Sequence, residues 1–177
     1  MVIWKEREHD IFDVQDANDP PTVEALRNCA LLKYFRVPGM KAHIWLLEYI
    51  INMWDPKKEH FFIGVHIFPI EIEDIYFLTD LSMRGNQAVL FGARGGEGSL
   101  DDIIDQHCAL GIEAQYGKLK IHSIVNIQLR TVVYTIGKVV GTRSSHLTTR
   151  SHMLYALQCM EPTIFNWCES MLVCLKK

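Results

Sequence analysis

Proline and glycine cut this chain into short pieces, and that punctuation limits what it can build. Pro20, Pro21, Pro38, Pro56, Pro69 and Pro162, together with Gly39, Gly64, Gly85 and Gly111, separate its apolar runs. No run approaches the roughly 20 uncharged apolar residues of a membrane span. The 177 residues are 49% apolar and 22% charged, which suits one domain with a sizeable core and excludes a disordered chain. Lys5, Glu6, Arg7 and Glu8 precede any apolar run, so the start does not read as a secretory signal. Five cysteines without framework spacing then read as reduced thiols of an intracellular protein.

Between the breaks, the periodicity is mostly helical. An acidic segment over residues 1–21 ends in Asp19-Pro20-Pro21, a helix-start signal. Val23, Leu26, Ala30, Leu31 and Tyr34 then predict one helix that stops at Pro38-Gly39. A second helix is expected from Lys41 to Trp54. Its polar residues fall on one narrow stripe, so it reads as mostly buried, and Asp55-Pro56 ends it. Residues 60–70 read as a hairpin turning at Gly64, with Pro69 restricting the second strand to a sheet edge. Glu71, Glu73 and Asp74 mark the first turn of a helix closing at Gly85, and residues 85–99 are a glycine-rich loop. Ser99 reads as the cap of a helix reaching Gly111. Residues 121–140 have helical spacing, although Thr131-Val132-Val133 also suits a strand. Residues 141–152 are expected as a polar loop, Met153 to Met160 as a helix, and Pro162 as the first position of a last helix. That helix runs to Lys177 without a stop signal, as in a truncated domain. The fold class expected is mainly α with a small β-hairpin (α+β).

Chemical motifs are scarce. Gly98-Ser99-Leu100 lacks the lysine and spacing of a phosphate cradle, and Asp101, Asp102 and Asp105 would repel phosphate. Glu71 and Asp74 share a helix face, yet acids in a first turn ordinarily complement the helix dipole. His60 and His66 flank the hairpin without further metal ligands, and His107 and Cys108 diverge by about 100° on a helix. The reading names no catalytic residue, no metal and no cofactor.

Charge is unevenly spread. Residues 114–160 carry no Asp or Glu and six cations, whereas residues 1–113 hold 19 acidic and 10 basic residues. Arg130 and Lys138 lie within about 80° of each other on a helix, and Arg143 and Arg150 extend from the loop that follows. These four are the candidate nucleic-acid contacts.

The run from Leu47 to Gly85 resembles the plant mobile domain family, also labelled aminotransferase-like. The resemblance is carried by Trp54-Asp55-Pro56, Phe61-Phe62, Glu71-Ile72-Glu73-Asp74-Ile75-Tyr76, Phe77-Leu78-Thr79-Asp80-Leu81 and Arg84-Gly85. It extends loosely over residues 22–177, with many members holding glycine where Asp80 stands here. It implies a transposon-derived, non-enzymatic domain of nuclear proteins, including maintenance-of-meristems-like and phosphatase 7 long-form-like members. Such proteins are linked to transposon silencing and meristem maintenance, which implies nuclear protein partners, phosphatase-type ones among them. Trp54, Phe62, Asp74, Tyr76, Leu78, Leu81 and Gly85 are then expected as its structural signature, in the core or at a helix start. The alternative is a nucleic-acid-contacting domain of a mobile element that uses residues 114–160.

Overall fold

The computed structural model describes residues 19–36, 44–90, 100–139, 147–161 and 163–176. Among them the fold is mainly helical with small sheets, an α+β arrangement. The central element is α6 (Ile127–Val139), which buries seven of its 13 residues. Asn126 Oδ1 accepts the Leu129 N–H at 3.0 Å and starts this helix. The helical period of residues 121–140 therefore outweighs the strand preference of Thr131-Val132-Val133. The buried hydroxyls of Thr131 and Thr135 donate to Ile127 O and Thr131 O, both at 2.8 Å, so neither is left unsatisfied in the core.

Around α6 pack α1 (Pro20–Asn28), α2 (Leu32–Arg36) and α7 (Arg150–Cys159). The single helix expected over residues 23–34 is broken in two at Ala30, whose φ is 59°. Leu31 N–H bonds Leu26 O at 2.8 Å and Ala30 N–H bonds Arg27 O at 3.0 Å, the paired bonds of a Schellman ending. Leu26 and Leu31, both fully buried, supply its apolar contact. Alanine occupies a left-handed position usually given to glycine, which is why the break was not visible in the sequence.

Residues 44–69 stand apart from that core. They form α3 (Ile44–Asn52) and an antiparallel sheet of β1 (Trp54–Asp55), β2 (His60–Ile63) and β3 (His66–Pro69), in that order. Pro69 does lie on an edge strand. The expectation that this helix is buried is overturned: every described side chain of α3, at positions 45, 46 and 48–52, is exposed. An apolar helix is buried only when other elements cover it, and here the core closes without it.

The signature residues are split in the same way. Leu81 is buried, and the Asp74 carboxylate accepts the Glu71 N–H at 2.9 Å at the start of α4 (Ile72–Thr79). Trp54 is half-buried, with its ring 4.8 Å from that of Phe61. Phe62, Tyr76 and Leu78 are exposed, Leu78 at 83%, so these three correct the expectation of core positions. The reason is that α4 meets the body on one side, through Ile75 and its packing on α8 (Trp167–Leu175). The helix closes at Asp80, not Gly85, with Asp80 left-handed at φ 56°.

Three further boundaries differ. Leu147–Thr149 is a strand, β6, paired with β5 (Lys118–Lys120), and Arg150 already begins α7. The last helix starts at Trp167 because Asn166 caps it, accepting the Glu169 N–H at 3.1 Å. Phe165 before it pairs in parallel with Asn86, joining β7 (Phe165–Asn166) to β4 (Asn86–Gln87). The helix expected to reach Gly111 is α5 (Leu100–His107), while Ser99, Pro162 and residues 91–99 of the expected 85–99 loop fall outside the described residues.

Gly85 sits where β4 and β7 meet, at φ 107°, and a Cβ there would lie 2.2 Å from Ile164 O. Gly85→Ala is therefore expected to cost at least ~2 kcal/mol, through backbone strain and displacement of residues 164–165. A thermal melt of the variant should show a fall of several degrees, and an unchanged midpoint would contradict this packing.

Candidate functional site

The feature with the clearest functional potential is the surface of residues 44–69. α3 ends at the turn before Trp54, and Met53 O accepts the Phe62 N–H at 2.9 Å, which ties the helix end to the sheet. Along the sheet, Trp54, Phe61 and Phe68 stand in register, as do Phe62 and Ile67. Side chains alternate between faces, so apolar groups occupy both faces of the sheet. Trp45 is 78% exposed, Ile51 67%, Val65 91% and Ile67 58%. Leu46, Tyr49, Phe62, Ile63 and Phe68 are exposed as well, so α3 and the two faces of the sheet together show roughly 1,000 Å² of apolar side chain by the usual areas of such groups.

Charge on this stretch is light and mixed, with Glu48, Asp55 and Glu59 against Lys57 and Lys58. The Asp55 carboxylate accepts the N–H groups of Lys57 and Lys58 at 2.9 and 3.2 Å and so shapes the β1–β2 turn. Glu59 is paired with Lys176 at 2.8 Å, which pins that turn to the end of α8.

The other candidate groups do not converge. His60 pairs with Pro69 and His66 with Ile63, which puts the two imidazoles at opposite ends of the hairpin and on opposite faces. Cys108 has its thiol pKa raised by burial, so it is held as a thiol. Glu71 and Asp74 form the capping box of α4. Among the described residues, no group of three or more His, Cys, Asp or Glu could hold a metal ion, and no helix is long and apolar enough to cross a membrane.

Lys33 and Tyr34 meet the C-terminal end of α4. Lys33 Nζ reaches both the carbonyl and the carboxylate of Asp80, and Tyr34 Oη donates to Thr79 O. Burial works against the Lys33 charge, but the hydrogen bonds and charges of Asp80 and Tyr34 together outweigh it and hold the pKa above its ordinary value. A cation at a helix C-terminus complements the dipole there.

The cations of residues 114–160 are spread out. Arg130 and Lys138 are eight residues apart on α6, about 12 Å along its axis. Arg130 is half-buried with its Nε out of solvent, and Lys138 is exposed. Arg150 opens α7, while Arg143 falls outside the described residues. Two cations not singled out from the sequence, Lys118 and Lys120, are exposed on one face of β5 while Leu119 between them is buried. Thr149, the partner of Lys118, directly precedes Arg150. Strand alternation was the signal that could have grouped them. The carboxylate-free stretch also supplies much of the core: seven residues of α6 and Met153, Ala156 and Cys159 of α7 are buried.

Within that core, His152 is buried and its Nδ1 lies 2.7 Å from Thr149 Oγ1. Desolvation lowers its pKa from 6.5 to about 4. An unfolded chain takes up this proton near pH 6.5, whereas the folded chain resists it until about pH 4. The stability contribution is thus complete above pH 6.5 and shrinks as pH falls toward 4, by about 2 kcal/mol at pH 5. Denaturant titrations at pH 7.5 and pH 5 should show this loss in the parent chain and a smaller one in His152→Gln. Equal losses would contradict a neutral, buried His152.

Comparison with protein-family models, with curated proteins and with solved structures returns no match for this chain.

Proposed function

We propose that the chain is a non-enzymatic interaction domain that recruits proteins through the apolar surface of residues 44–69. The exposure of α3 carries this reading. A nine-residue helix is too short to hold its shape in water unaided, and burying its apolar side chains against a partner would stabilise it. The transposon-derived, nuclear setting implied by the plant mobile domain resemblance makes silencing proteins, including phosphatase-type ones, the partners of this proposal. Nucleic-acid contact through residues 114–160 is the competing reading.

The full chain immobilised and exposed to nuclear extract tests both. The proposal expects a reproducible set of captured proteins that survives nuclease treatment. Capture should fall at least tenfold in the double variant Trp45→Glu, Ile51→Glu, whose circular dichroism should otherwise keep the core signal. Capture that ignores the double variant would overturn the assignment of this surface. Capture that disappears with nuclease would transfer the function to nucleic acid.

A further inference from the structure

We infer that the 44–69 surface also joins two copies of this chain, with β3 of one pairing antiparallel to β3 of the other about a two-fold axis at Ile67. The inference rests on the interaction reading above and gives that surface its first partner. Phe62 donates its N–H toward β1, to Met53 O at 2.9 Å. The N–H and C=O of one strand residue point the same way, so Phe62 and its partner Ile67 form a pair without mutual hydrogen bonds. Ile67 therefore turns its own N–H and C=O away from β2, toward the edge that pairs with no other strand among the described residues.

Two residues on, Pro69 faces the same edge and offers a carbonyl but no N–H. A long incoming strand would lose bonds there, whereas a short pairing centred on Ile67 loses few. A two-fold axis makes that pairing reciprocal: each Ile67 N–H meets the Ile67 carbonyl of the other copy.

The charge pattern agrees with this geometry. Gly64 to Pro69 contains no Asp, Glu, Lys or Arg, so two copies of the edge meet without like-charge repulsion. β3 carries no lysine or other charge to block edge pairing, and its two protective features, four-residue length and Pro69, limit the pairing to a short one centred on Ile67.

Sedimentation equilibrium of the full chain from about 1 to 100 µM tests the inference. A mass rising toward twice 20.4 kDa is the expected result. Ile67→Lys and Val65→Lys, both at exposed positions, should raise the dissociation constant at least tenfold. Leu110→Glu, at a fully exposed site outside the patch, should leave it unchanged. A dimer indifferent to both lysine variants would overturn the β3 pairing. A chain that stays monomeric, yet captures nuclear proteins in a manner dependent on Trp45 and Ile51, would overturn the second-copy inference and leave the interaction reading standing. A monomer whose capture ignores those residues would overturn both.

Discussion

The buried indole of Trp167 holds the two ends of this fold together. Its Nε1–H donates to Cys29 O at 2.8 Å, across 138 residues of sequence, and its ring lies 5.3 Å from that of Phe165. The bond reaches the cap of α1, where the chain turns through Ala30 into α2. In the same first turn of α8, Cys168 N–H bonds Ser82 O, its Sγ contacts Leu81 O, and Ser170 Oγ donates to Ala88 O at 2.9 Å. Residues 81–90 contain almost no regular structure, and α8 supplies the partners that their backbone would otherwise lack. Each buried bond is worth about 1 kcal/mol net, but losing one leaves a buried group unsatisfied and costs more.

That closure decides where the functional surface lies. Helices α1, α2, α6, α7 and α8 fill the core, with Cys29 and Cys159 meeting inside it. Their contact and burial push the Cys159 thiol pKa up, which keeps it protonated and inert. Nothing in this arrangement calls for residues 44–69, and the described side chains of α3 remain outside. A fold that buries modest helices while displaying its most hydrophobic one has its surplus apolar area available for a partner, and this is the physical basis of the interaction role proposed for it.

Some of this was legible in the sequence, and the reason for each success or miss is physical. α6 was readable because it is central and its 3.6-residue period is enforced on more than one side. The edge position of β3 followed from the missing N–H of Pro69, and the start of α4 from carboxylates that its first turn requires. The break at Ala30 was hidden because alanine gives no warning of a left-handed backbone. The Asn166-x-x-Glu169 cap of α8 was present but outweighed by Pro162, a stronger local signal. The pairs β4–β7 and β5–β6 join two or three residues over long separations, which local patterning does not reveal. Exposure of α3 was the largest miss. Hydropathy reports that a helix wants cover, while the core decides whether this chain supplies it. The surface of residues 44–69 was for that reason invisible as a site.

Hydrogen exchange of the dilute full chain, followed by peptide across α3 and α6, tests this account most directly. With α3 outside the core, its amides should exchange orders of magnitude faster than those of residues 127–139, which should open only with global unfolding. Equal protection of residues 44–52 and 127–139 in monomeric protein would place α3 in the core and contradict the account.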